Sequence, residues 1–155
     1  MSASNSTEND VLEMICKGTD PAWRAAASGY WALFSADPGE TGSLAAEATY
    51  TGYARVAQTK ATAWTDSGSS FSNAALVQWP QCTAGTTDAT HFAWVSSVSG
   101  ATDYMVSGPL DATLAMSAGI QPQAAAGQLV ITADETWSAF ATFVKSGRLN
   151  HLAVT

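Results

Sequence analysis

The run Tyr30-Trp31-Ala32-Leu33-Phe34, followed by the turn sequence Ala36-Asp37-Pro38-Gly39, decides the fold class of this chain. Five consecutive apolar residues are enough for one strand, and Asp-Pro-Gly ends it because proline and glycine favour a tight turn. Short apolar runs separated by Gly-, Ser-, Asp- or Pro-rich breaks continue to about residue 130. This pattern predicts a mainly β domain.

Seven strands are predicted between these breaks, at residues 30–34, 53–63, 71–79, 90–95, 104–107, 112–116 and 128–132. Seven short strands at this spacing are typical of an antiparallel β-sandwich or a jelly roll. Tryptophans 31, 64, 79 and 94 lie in or beside the predicted strands, and we expect them to pack in the core.

A helix is predicted before the β region. Thr7 is a plausible N-cap, and Lys17-Gly18 is a plausible end because glycine readily adopts the left-handed backbone of a helix C-terminus. A helix of this length is not stable alone in water, so it must dock on its own domain or on a neighbour. Its candidate interface residues are Val11, Leu12 and Ile15.

A second helix is predicted after the β region, where Asp134 and Glu135 suit a helix N-terminus. Its apolar residues recur with helical spacing and give three further interface candidates, Trp137, Phe140 and Val144. The predicted organisation is an N-terminal helix and arm over 1–29, a β-sandwich domain over 30–133, and a C-terminal helix and tail over 134–155. Each terminal helix either covers the sandwich or acts as a docking arm.

The composition points to an assembled protein. Only 12% of the 155 residues are charged, about half of what a soluble domain usually carries, so burying surface in an assembly would be favourable. The net charge of −7 and the scattered basic residues predict no nucleic-acid binding. No segment is apolar enough to predict membrane insertion. Cys16 and Cys82 are expected to be free thiols, with a bridge as the alternative.

No catalytic, cofactor-binding or metal-binding residues are predicted. The motifs of nucleophilic hydrolases, P-loops, dinucleotide sites and zinc proteases are missing from the sequence. Cys82, Asp88 and His91 match no zinc-ligand spacing. Asp37 and Glu40 form a close carboxylate pair, as glycoside hydrolases require, but they lie in a turn where acidic residues are expected for local reasons.

Several stretches resemble a family of small virion proteins of tailed phages and prophages, often labelled tail-fibre or structural proteins. The stretches lie at residues 32–42, 47–56, 72–75, 79–82, 90–92, 107–110 and 118–120. The most distinctive arrangement is a strand, the sequence Ala36-Asp37-Pro38-Gly39-Glu40, and then Thr51-Gly52-Tyr53-Ala54-Arg55. We expect the latter to begin a strand with a cation beside an aromatic ring.

The resemblance implies a virion component, made in the host bacterial cytoplasm, that works by packing and not by catalysis. A capsid decoration (cement) subunit is the first interpretation, and a collar or tail-fibre base subunit is the alternative. A carbohydrate-binding β-sandwich is the rival outside phages, and a small glycan hydrolase is the enzyme candidate. The expected partners are copies of the chain, with a trimer favoured, and virion proteins such as the major capsid, neck or tail proteins.

Overall fold

The structure, a computed structural model, describes residues 2–132, which form ten β-strands, two α-helices and a 3₁₀ turn, Ala22–Ala25. The helices are α1 (Asn5–Lys17) and α2 (Lys60–Ala63). The strands are β1 (Ser2–Ala3), β2 (Ser28–Phe34), β3 (Val56–Thr59), β4 (Trp64–Ser67), β5 (Ser70–Asn73), β6 (Val77–Gln78), β7 (Thr87–Val95), β8 (Met105–Met116), β9 (Gln123–Ala124) and β10 (Val130–Thr132).

The main sheet has five antiparallel strands in the order β1-β8-β7-β2-β3. Side chains alternate across β2: Trp31 and Leu33 belong to one buried cluster, and Ala32 and Phe34 to the other. Because both faces of the central strands are covered, β2 appears in the sequence as an unbroken apolar run.

A second sheet, in the order β10-β5-β4, lies against one face of the main sheet. Trp64 on β4 makes this contact: its ring centroid is 4.7 Å from that of Trp31 and 5.5 Å from that of Trp94. Strands β6 and β9 form a third, two-stranded sheet whose buried residues join the same cluster. The predicted mainly β, antiparallel, sandwich-like fold is confirmed, and the four tryptophans pack in or against its core.

Several predicted strand boundaries are wrong. The strand predicted at 53–63 is β3 followed by the short helix α2, and the one at 71–79 is divided into β5 and β6. The strands predicted at 104–107 and 112–116 are one strand, β8. It runs through Pro109, which pairs with His91 beside a bulge, where a missing backbone N–H is tolerated.

The sequence pattern did not predict β1, β4 or β9. Strands β1 and β9 have two residues each, too few to show a periodicity, and β4 contains the polar sequence Thr65-Asp66-Ser67. Strand β1 pairs with β8, Ser2 opposite Ser107 and Ala3 opposite Val106, so it joins the start of the chain to the main sheet.

Both cysteines of the described region are free thiols, as expected: Cys16 is exposed and Cys82 is buried in the core. No helix within residues 2–132 has the length and apolar character needed to cross a bilayer. The predicted C-terminal helix lies outside the described residues.

Candidate docking surfaces

Helix α1 is fixed to the main sheet at its first turn. Its N-cap is Ser4, whose Oγ accepts a hydrogen bond from the Thr7 backbone N at 3.4 Å, so the prediction of Thr7 as the cap is wrong. The Thr7 hydroxyl instead donates to the Met105 carbonyl at 3.2 Å and accepts from the Met105 backbone N at 2.9 Å. The helix ends at Gly18 in a left-handed conformation, as predicted.

The apolar stripe of α1, formed by Val11, Leu12 and Ile15, remains accessible. Leu12 is 43% exposed, Ile15 is 49% exposed, and Val11 is partly buried. Thr7 is the one buried residue of α1. The helix is therefore held by polar contacts at its beginning, while most of its apolar stripe remains exposed on the described domain.

A second contact holds the middle of α1 to the domain. The Trp23 indole Nε1 donates to the Asp10 carboxylate at 2.7 Å, and the Trp23 ring lies 5.1 Å from that of Tyr104. The Lys60 ammonium lies 5.7 Å from the Trp23 ring centroid and 5.2 Å from that of Tyr104, within cation–π range. Burial of the Lys60 side chain lowers its pKa.

A buried ion pair between Arg55 and Glu47 holds a turn of the chain together.

 The turn is the stretch from Glu47 to Arg55. Arg55 Nε donates to Glu47 Oε1 at 2.7 Å and its Nη2 to Glu47 Oε2 at 2.8 Å, a two-point contact. The Tyr53 hydroxyl donates to the same carboxylate at 3.0 Å and accepts from the Leu33 backbone N at 3.1 Å.

This arrangement corrects the prediction for Thr51-Gly52-Tyr53-Ala54-Arg55. These residues precede β3 and do not begin it, and the Arg55 cation is paired with a carboxylate. The hydrogen bonds to Glu47 raise the pKa of Arg55, whereas burial, together with the charge of Glu47, raises the pKa of Tyr53 far above its usual value. Glu47 was not among the residues predicted from the sequence to form a site. The sequence feature that could have indicated the ion pair is a glutamate eight residues before an arginine within the stretch 47–56.

Arg55 also fixes the loop between β7 and β8. Its Nη1 donates to the Ser97 carbonyl at 2.8 Å, and its Nη2 donates to the Gly100 carbonyl at 3.0 Å. Within the loop, Thr102 Oγ1 accepts from the Ser96 backbone N at 2.9 Å. Between these fixed points Val98 is 62% exposed, the largest exposed fraction among the large apolar residues from 2 to 132.

A small cavity lies beside β8, at the other end of the β7–β8 hairpin. Its volume is about 100 Å³, and Leu129 and Ala124, both buried, contribute apolar walls. The other lining residues are Leu110, Asp111, Ala112, Leu114, Gln123 and Gln128.

The remaining candidate residues are not brought into a shared site. Asp37 Oδ1 accepts from the Gly39 backbone N at 2.9 Å, which is the local turn role expected for it. His91 is partly buried, and its Nδ1 lies 2.9 Å from the Thr90 hydroxyl. From residue 2 to residue 132 no group of three His, Cys, Asp or Glu side chains could hold a metal ion. The interface candidates Trp137, Phe140 and Val144 lie outside the described residues.

The described residues form an antiparallel β domain, and the apolar stripe of α1 is exposed on its surface. The chain belongs to the family described as Podophage GP4 fiber I protein gp80, whose model matches residues 2–132. The predicted resemblance to phage tail-fibre and structural proteins is therefore confirmed, and it extends to the start of the described region. The chain is a phage structural protein and a component of the virion. No curated protein matches it.

Proposed function

We propose that the chain is a fibre subunit of a tailed phage, located at the collar or at the base of the tail fibre. The description of the family as a fiber protein supports this alternative over capsid decoration, the interpretation ranked first from the sequence. No feature of the described residues favours a position on the head.

The observation that carries the proposal is the exposed stripe on a helix that is otherwise fixed. Leu12 and Ile15 remain about half exposed, although α1 is attached to the sheet at its start and through Asp10. Fully burying a large apolar side chain contributes about 1.5–3 kcal/mol. Because Leu12 and Ile15 are already about half covered, each gains roughly half of that amount when a partner covers it. Repetition over many subunits strengthens the attachment, since a multivalent contact needs only modest affinity at each copy.

The test is incorporation of a Leu12→Ser/Ile15→Ser variant into particles. Cells that provide the variant are infected with a phage lacking its own copy of the gene, and purified particles are probed for the subunit. We expect a melting temperature close to that of the wild type and strongly reduced incorporation. The matched control is Leu76→Ser, because Leu76 is 55% exposed but lies far along the chain from α1. Normal incorporation of the double variant would contradict docking through this stripe.

The proposed role includes neither catalysis nor a free monomer. Purified protein incubated with host capsular or cell-wall glycan should release no sugar. Cleavage that is lost in Asp37→Asn or Glu40→Gln would show an enzyme instead.

We expect a trimer, because closed rings are a common arrangement of identical subunits. Light scattering at high micromolar concentration, together with the stoichiometry in particles, measures the number of copies.

A further inference from the structure

We propose that residues 133–155 cover an apolar patch on the second sheet of their own chain, with Trp137 lying against Phe71. The patch consists of Asp66, Phe71 and Ile131, and we call it the Phe71 patch. The inference goes beyond the proposed function, because the stripe on α1 takes no part in it. It assigns an intramolecular partner to a surface that the described residues leave open.

The Phe71 patch faces the main sheet without being fully covered by it. The face is identified by Trp64 on β4, whose ring lies 4.7 Å from that of Trp31 in the main sheet. Asp66 is two residues further along β4 and therefore lies on the same face. Phe71 is directly opposite Asp66, and Ile131 is directly opposite Phe71, so they share this face as well. Phe71 is nevertheless 46% exposed, so the inner face is open here in the described part of the chain.

The described part of the chain ends at the edge of this patch. Ile131 lies opposite Phe71, and Thr132 lies opposite Ser70, with the two hydroxyl oxygens 3.0 Å apart. Because Cα atoms of directly opposite residues are about 4.5–5.5 Å apart, the next residue starts beside the patch. The five residues from Thr132 to Trp137 span at most about 18 Å when extended. This length is sufficient to bring the Trp137 indole to Phe71.

The short connection favours the segment of the same chain over that of a second copy. Only residues 133–136 separate β10 from Trp137. A partner joined by a short flexible linker has an effective concentration in about the millimolar range, so a second copy at micromolar concentration competes poorly with it. The patch is then occupied in every copy by its own chain. Contacts between copies are left to other surfaces, such as the stripe on α1.

The composition of the segment complements an apolar patch that carries a carboxylate. Residues 136–155 contain two basic residues, Lys145 and Arg148, and no acidic residue. Asp66 is exposed and forms no ion pair within the described region, so it is available to attract a positive charge. The apolar residues of the segment recur with helical spacing, so several of them share one face. Placing this face against Phe71 removes apolar surface of both from water.

Disulfide trapping in the full-length chain tests the contact. One variant combines Asp66→Cys with Ala141→Cys, which is four residues beyond Trp137 and on the same face of the predicted helix. The matched control replaces Asp66→Cys by Thr65→Cys, which is also exposed but lies on the opposite face of β4. Both variants carry Cys16→Ser to remove the exposed thiol. On mild oxidation we expect at least about fivefold more disulfide within one chain from position 66, because the two sulfurs must approach closely to bond.

Two results of this experiment would contradict the inference. Equal yields from positions 65 and 66 would show that the segment does not prefer the inner face. Disulfides formed mainly between two chains, which migrate as dimers without reductant, would show that the segment covers a second copy instead of its own.

Limited trypsin digestion gives a second measurement in which the segment itself is unchanged. Lys145 and Arg148 are trypsin sites within the segment, and contact with the patch should protect them. We expect Phe71→Ser to be cut at these sites at least about fivefold faster than the wild type, because the apolar contact is lost. The matched control is Ile120→Ser, since Ile120 is also 46% exposed but lies outside the second sheet. Circular dichroism checks that both variants are folded, and cleavage of Phe71→Ser at the wild-type rate would overturn the inference.

Discussion

Replacing Arg55 by methionine tests the importance of the buried ion pair for stability. Methionine keeps an unbranched apolar side chain but removes the bonds from Arg55 to Glu47, Ser97 and Gly100. The Glu47 side chain is 16% exposed, so its carboxylate would remain largely buried with the Tyr53 hydroxyl as its remaining side-chain partner. Removing one member of a buried pair destabilises a protein by about 3–5 kcal/mol, because the other charge loses its compensation.

The expected effect is large compared with the whole stability of the domain. Unfolding free energies are typically about 5–15 kcal/mol. A loss of about 3–5 kcal/mol lowers the melting temperature of a chain of this size by roughly 6–20 °C, at about 2–4 °C for each kcal/mol. Urea unfolding followed by tryptophan fluorescence measures the change, since Trp31, Trp79 and Trp94 are buried in the folded state.

Two further variants make the measurement specific. Arg24→Met is the matched control, because Arg24 pairs with Asp20 at the surface, where both side chains are more than half exposed; we expect a change within about 0.5 kcal/mol. The double variant Glu47→Gln/Arg55→Met should lose less than the sum of the single variants, since no charge is then left buried. A change below about 1 kcal/mol for Arg55→Met would refute the reasoning.

Three other predictions concern buried polar groups. Asn73→Ala removes hydrogen bonds to the Ala75 and Ala125 carbonyls and from the Leu129 backbone N, and should destabilise the domain by roughly 2–4 kcal/mol in urea unfolding; a loss below about 1 kcal/mol would contradict it. Tyr104→Phe should leave stability equal or raise it by up to about 1–2 kcal/mol, because the Tyr104 hydroxyl is buried without a hydrogen-bond partner among residues 2–132; a clear loss would indicate a partner. Burial raises the pKa of Tyr50 to about 12 and raises the pKa of Tyr104 above that value. Below pH 10 both tyrosines are neutral in the folded and in the unfolded chain, and the stability is unaffected by their titration. As the pH rises from 10 through the pKa values of the folded state, the unfolded chain loses its tyrosine protons first, and the folded state is progressively destabilised. The urea midpoint should therefore fall steeply above pH 10, and less steeply in Tyr104→Phe.

The sequence by itself determined the features that depend on neighbouring residues. The apolar run at Tyr30–Phe34, ended by Asp37-Pro38-Gly39, predicted a strand and its end, because strand propensity and turn geometry are properties of a few adjacent residues. Gly18 predicted the end of α1 for the same reason. The apolar stripe on α1 was also evident from spacing alone, since helical periodicity places Val11 and Ile15 on one face.

Tertiary structure decided which partners these residues take. The Thr7 hydroxyl bonds to Met105, 98 residues away, and Ser4 caps the helix instead. Pro109 lacks the backbone N–H of a regular strand residue, but pairing with β7 carries β8 through it beside a bulge. Arg55 reaches the loop around Val98 more than forty residues further along the chain. Contacts between distant residues depend on the order of the strands in the sheet, and a local pattern carries no information about that order. The exposure of Leu12 and Ile15 was decided in the same way, by what the folded domain leaves uncovered.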